Sequence, residues 1–141
     1  MAVVSAPDME LWLCGWLRAQ LKQRGHDVQV SNKEPASLKQ PLKRPLVVIR
    51  DDGGPRVSHV TFNRSFGVSV LAGTRQNDKP VNDLARLVAA LLQCDEIYLL
   101  DDSPVASVEF SGCNGPYSVV EPGDVGRRYL TVEYTVAGQV L

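Results

Sequence analysis

The sequence predicts an α+β domain: a mixed, mostly antiparallel sheet of about five strands with two helices packed on it. Three observations carry this. Met9–Leu21 and Val81–Leu92 repeat apolar residues at steps of three and four, the period of an amphipathic helix. Arg127–Ala137 alternates residue by residue, the period of a half-buried strand. Apolar runs parted by Gly, Pro and Asp supply further strands close enough in sequence to pair antiparallel. Wide apolar stripes on two helices need a sheet face to cover. At 141 residues the chain fits one domain, 1–141, long enough to bury roughly 70% of its unfolded surface.

The first helix is expected to open at Ser5 as cap, with Pro7 in the first turn and Asp8 completing a capping box. Met9, Trp12, Leu13, Trp16, Leu17 and Leu21 form its stripe, and the tryptophans read as core anchors rather than a partner-binding ridge. Arg18, Lys22 and Arg24 lie off the stripe or near the end, and Gly25 stops the helix. Asp27–Val30 reads as a short strand. Residues 31–45, with Lys33, Lys39, Lys43, Arg44 and three prolines, read as a basic, irregular connection. Leu46–Arg50 is a buried strand, closed by the turn Asp51-Asp-Gly-Gly-Pro.

The stretch Arg56–Leu92 organises the rest: an extended segment, a polar loop and a helix. In its strand, Val57–Gly73, Val57, His59, Thr61 and Asn63 share one face, Val60 and Phe62 lie on the other, and Gly67 suggests a kink or bulge. Asn77–Leu92 forms the second helix, with Pro80 in its first turn and a stripe of Val81, Leu84, Ala85, Val88, Leu91 and Leu92. Asp101-Asp-Ser-Pro is a turn, Val105–Phe110 a strand, and Ser111–Pro116 a compact turn, with a brief extension at Tyr117–Val120. In the last strand Tyr129, Thr131, Glu133 and Thr135 share one face, and Leu130, Val132, Tyr134 and Val136 the other.

Composition excludes more than it assigns. A net charge of −1 argues against free-standing nucleic-acid binding. The charge is unevenly placed: residues 1–50 hold eight Lys/Arg against four Asp/Glu, and residues 51–141 hold seven against twelve. Such a subunit can stack complementary faces in an assembly, or simply mix its charges over one surface. Cys14, Cys94 and Cys113 are odd in number and far apart, with no CxxC and no His at ligand spacing. Cys14 and Cys94 read as buried thiols, Cys113 as a turn residue, and the set fits a reducing compartment. No signal peptide and no membrane span are expected. Asp51 and Asp52 beside glycines read as turn chemistry rather than a metal site. His59 has no nucleophile or carboxylate placed to pair with it, and phosphate-cradling glycine motifs are absent.

The Pro45–Asp51 and Val57–Gly73 strands and the Asn77–Leu92 helix precede an ending that joins Gly115-Pro-Tyr to Gly126-Arg-Arg-Tyr-Leu-Thr-Val-Glu-Tyr-Thr-Val. In that order the chain resembles the tail terminator proteins of long-tailed bacteriophages, also called tail completion or minor tail proteins. The resemblance spans nearly the whole chain and rests on element order, so it transfers no invariant site. It implies a non-enzymatic structural protein of the virion tail, assembled in the host cytoplasm. Six copies would ring the head-proximal end of the tail tube, end its polymerisation and meet the head-completion or connector proteins. Phage DNA would pass through without sequence-specific binding. No cofactor, metal or membrane is expected. A head-to-tail ring needs two different patches per subunit. The contact candidates are the loop with Lys33, Lys39, Lys43 and Arg44, the turn with Asp51, Asp52 and Arg56, and the loop with Arg75 and Lys79. Arg127 and Arg128 read equally as a subunit or tube salt bridge and as a solvated strand start. The alternatives are another neck or tail ring protein, such as a head-closure or tube subunit, and a small ligand-binding or enzyme domain built around His59, Asp101 and Asp102.

Overall fold

A computed structural model describes residues 2–38, 42–120 and 122–141. In chain order it contains β1 (Val4–Ser5), α1 (Met9–Gln23), β2 (Gln29–Ser31), β3 (Leu46–Gly53), β4 (Thr61–Ala72), α2 (Lys79–Leu92) and α3 (Glu96–Leu99). There follow β5 (Val105–Val108), a 3-10 turn (Phe110–Gly112), β6 (Asn114–Ser118), β7 (Gly126–Ala137) and β8 (Gln139–Val140). The main sheet is mixed and has the order β2-β3-β4-β7-β5, with β6 also on β7. Among the described residues only the β2–β3 pair is parallel. Two long helices lie on this sheet, so the fold is α+β. It has six strands where about five were expected, because Asn114–Ser118 pairs with β7 instead of merely turning. A separate two-stranded ribbon joins β1 to β8.

Both long helices pack on one face. Met9, Leu13, Trp16, Leu17 and Leu21 of α1 and Val81, Ala85, Val88 and Leu92 of α2 share a core with Val47, Ile49, Phe66, Val68, Val70, Leu130, Val132, Tyr134 and Val136. Completely burying Leu13, Leu17 and Leu21 contributes roughly 1.5–3 kcal/mol each. Trp12 is half-buried and stacks on Trp16, ring centroids 6.2 Å apart. The long β4–β7 pairing runs from Thr61↔Ala137 to Ala72↔Gly126 without interruption.

Four local expectations are corrected. Asp8, not Ser5, caps α1, its carboxylate accepting from the Leu11 N–H at 3.2 Å; Ser5 is in β1, paired with Gln139. Residues 57–60 are a turn: the Val57 and Ser58 N–H groups both donate to the Thr61 carbonyl oxygen, so the strand begins at Thr61 and His59 belongs to no sheet face. Gly67 makes no bulge; the register shift falls in β3, between Asp51 and Gly53. Gly67 is instead the place where the Tyr129 hydroxyl and Arg50 guanidinium cross β4, and any Cβ there would collide with them. Finally, Val105–Phe110 stops as a strand at Val108, and Phe110 starts the 3-10 turn.

The β2–β3 parallel pair requires a long crossover, and residues 32–45 provide it. Leu38 and Leu42 from this connection pack on Leu46, Val48, Leu71 and Val125, a small second core on the face away from the helices.

Candidate assembly surfaces

The contact candidates are mostly engaged within the subunit. Arg44 pairs with Asp27 at 3.2 Å and Lys79 with Asp83 at 2.8 Å. Asp51 accepts from the Gly53 N–H at 2.7 Å across the bulge, and Asp52 pairs with Arg50 at 2.7 Å. Arg56 donates to the Ser58 and His59 carbonyl oxygens and lies 4.8 Å over the Phe62 ring. The Arg75 N–H donates to Asp124 at 3.2 Å. Arg127 reaches Glu34 at 2.9 Å and Arg128 reaches Asp78 at 3.0 Å, and each arginine side chain is 13% exposed. These two tie the start of β7 to the crossover and to the N-terminus of α2. Lys33 and Lys43 are exposed, and Lys39 lies outside the described residues.

The sheet face away from the helices carries a polar ladder. Ser65 donates to Glu133 at 3.1 Å, Thr135 to Glu109 at 2.8 Å, and Ser107 to Glu109 at 2.7 Å. The Ser107 and then the Thr135 hydroxyl hold the Glu109 carboxyl below its ordinary range. On the helix side Tyr134 is completely buried and donates to the Leu92 carbonyl oxygen at 2.6 Å; that burial raises its pKa well above the ordinary tyrosine value. Burial likewise raises the Cys14 and Cys113 thiols, which suits small hydrophobes better than nucleophiles. Cys94 is half-buried. Among the described residues no group of three His, Cys, Asp or Glu is placed to hold a metal ion. Nor does a hydrogen bond or ion pair join His59 to Asp101 or Asp102 among them. Among the described residues no helix is long and apolar enough to cross a membrane.

The two edges of the sheet differ chemically. At the β2 edge a groove of about 440 Å³ is lined by Arg18, Lys22, His26, Asp27, Val28, Val30 and Arg44. Its floor is aliphatic and its rim cationic on balance, with Asp27 paired to Arg44, and Arg18 donates to the Val30 carbonyl oxygen at 2.8 Å. The other edge is shared by β5 and β6. Beside β5, α3 buries Ile97 and turns Tyr98, Leu99 and Leu100 outward, 39%, 66% and 45% exposed. Asp95, Glu96, Asp101 and Asp102 surround that apolar knob; all are exposed, and none has an ion-pair partner among the described residues. Ser103 fastens the knob to the edge, its hydroxyl donating to the Ile97 carbonyl oxygen and accepting from the Val105 N–H.

Sequence reasoning passed over this knob and the groove. The signal was present as charge spacing: residues 87–126 hold seven Asp/Glu and no Lys, Arg or His, whereas residues 18–44 hold seven Lys/Arg and two Asp/Glu. No protein-family model matches the chain, and a search of curated proteins finds no match.

Proposed function

We propose that this chain is a structural virion-assembly protein of a long-tailed bacteriophage. It caps the head-proximal end of the tail tube as a hexameric ring, ends tube polymerisation and provides the surface for head joining. The observation that carries the reading is the pair of unlike open edges on one sheet, β2 and β5/β6. A head-to-tail ring needs two different patches per subunit, and strand edges left open in a lone subunit are natural points of association. The resemblance in element order supplies the biological setting. The partners are further copies of the chain, the tail tube protein and the head-completion or connector proteins, with phage DNA passing through the opening. The protein acts without catalysis or cofactor.

Light scattering over a concentration series, followed by negative-stain imaging with purified tail tubes, tests this. Six-fold rings, or single caps that stop growth at one tube end, are the expected result. A chain that stays monomeric at every concentration and ignores the tubes overturns it.

A further inference from the structure

The acidic knob and the basic groove occupy opposite corners of the sheet. β2 and β5 are separated by three strands, so roughly 19 Å of sheet lies between them. The groove lies at the end of the sheet where Leu46 pairs with Leu71, and the knob lies where Val105 pairs with Val136, opposite Phe62. Leu71 and Phe62 are a further roughly 30 Å apart along β4. The physiological Debye length is about 8 Å. The two poles therefore cannot neutralise each other within a subunit, and each presents its field outward.

Their charges are opposite. The knob has an apolar centre of Tyr98, Leu99 and Leu100 inside a ring of carboxylates, the pattern of an interface core with a charged rim. The groove has a rim of Arg18 and Lys22 with the Arg44–Asp27 pair beside them, net cationic, over a floor where Val28 and Val30 are already largely buried. Its volume falls in the about 300–1,000 Å³ range of pockets that take small ligands, enough for protruding side chains. Lys22 and Arg24 have no ion-pair partner among the described residues, so they are available to a neighbour's carboxylates.

We propose that successive copies of this chain join head to tail, the Tyr98–Leu100 knob of one copy seated in the Arg18–Lys22–Arg44 groove of the next. This rests on the ring reading above and names the surfaces that build it. The contact is heterologous, so each copy keeps one free knob and one free groove until the chain of contacts closes. Attraction between the rims speeds encounter, and burial of the knob supplies the apolar contribution.

Two experiments test it. In the first, unlabelled and 15N-labelled protein are mixed and treated with a zero-length carbodiimide, which condenses a lysine amine with a carboxylate to an amide and releases the activated oxygen as a urea. The expected products are mixed-isotope links from Lys22 to Asp95, Glu96, Asp101 or Asp102. Their absence, or links confined to other surfaces, overturns the proposal.

The second experiment swaps charges. Lys22→Glu with Arg24→Glu sets Arg18 and Arg44 against three carboxylates, Asp27 included, and gives a subunit with two acidic poles; Glu96→Lys, Asp101→Lys and Asp102→Lys together set three lysines against Asp95 and give one with two basic poles. Each variant alone should self-associate more than about a hundredfold more weakly, the scale of like charges set face to face. An equimolar mixture should assemble again by alternation, which closes only an even-numbered ring. Wild-type assembly should weaken between about 0.1 M and 1 M salt, as the Debye length falls from about 10 to 3 Å.

Six-fold rings that survive both reversals overturn this interface and leave the tail-cap reading standing. Knob-to-groove links in an assembly that neither closes nor stops tube growth keep the interface and overturn the tail-cap reading. A wild-type chain that neither links nor associates overturns both.

Discussion

Tyr134→Phe isolates one hydroxyl at the centre of the fold. That hydroxyl donates at 2.6 Å to the carbonyl oxygen of Leu92, the last residue of α2, where the helix has no backbone donor of its own to offer. The phenyl ring stays in place against Phe66, 5.8 Å between centroids, so the substitution removes the bond and leaves the packing. Leaving a buried carbonyl unsatisfied costs about 1–3 kcal/mol. For a domain of this size the melting temperature should fall by roughly 3–10 °C near neutral pH.

The sign of the pH dependence is opposite in effect. Burial raises the Tyr134 pKa well above its ordinary value of 10.0, so in the folded protein the hydroxyl keeps its proton while the unfolded chain loses it. The folded state then binds more protons. Wild-type stability is fully present below about pH 10 and falls by about 1.4 kcal/mol per pH unit above it from this group alone. The variant has no such group. Its deficit should narrow as the pH rises above about 10. Urea unfolding at a series of pH values, followed by circular dichroism, measures both effects. An unchanged midpoint at pH 8, or a deficit that stays constant to pH 12, refutes the reasoning.

Other expectations follow from single contacts. Gly67→Ala places a Cβ against the Tyr129 hydroxyl and the Arg50 guanidinium, so it should cost about 1–3 kcal/mol in urea unfolding; adding Tyr129→Ala should recover part of the loss. Glu10 accepts from the Asp51 N–H at 2.8 Å and the Asn32 amide at 3.0 Å, which together hold its carboxyl below the ordinary 4.5. Because the folded pKa is the lower one, that stability is present above about pH 4.5 and lost as the pH falls through the folded value. Glu10→Gln should flatten the acid limb of the stability profile, and an unaltered limb would contradict the assignment. Arg127→Ala removes the ion pair to Glu34 and loosens the crossover, so limited trypsin digestion should cut after Lys33 or Lys43 several times faster than in the wild type.

What the sequence revealed depended on how local the deciding forces were. In β7 the buried Leu130, Val132, Tyr134 and Val136 and the less buried Tyr129, Thr131, Glu133 and Thr135 follow the alternation that the residues display, because one side of that strand meets the helices and the other does not. The α2 stripe was legible for the same reason. Gly67 was misread because its cause is remote: Tyr129 and Arg50 reach it from neighbouring strands, and nothing adjacent in sequence announces them. Ser5 and Asp8 both fit a cap, and the choice was made by Gln139, which draws Ser5 into a strand. At the surfaces, isolated cations such as Arg127 and Arg128 drew notice as contact candidates. Their intramolecular partners, Glu34 and Asp78, are distant in the chain and were invisible to a reading by neighbours. The knob escaped notice because its three apolar residues lie on one short turn, too brief to show a period.

Trp12 and Trp16 are the chain's two tryptophans, and both belong to α1. α1 rests on β2 and β3, whereas α2 rests on β4 and β7. Intrinsic tryptophan emission is therefore a local reporter of one edge of the sheet, the edge that holds the cationic groove. Far-ultraviolet dichroism, by contrast, reports every helix and strand at once. If the two signals change together on unfolding, α1 and its edge belong to the same cooperative unit as the rest. If emission changes first, the groove edge opens as a separate unit while the β4–β7 pairing persists. The stacked indoles thus give a built-in optical readout of that edge, with no label attached.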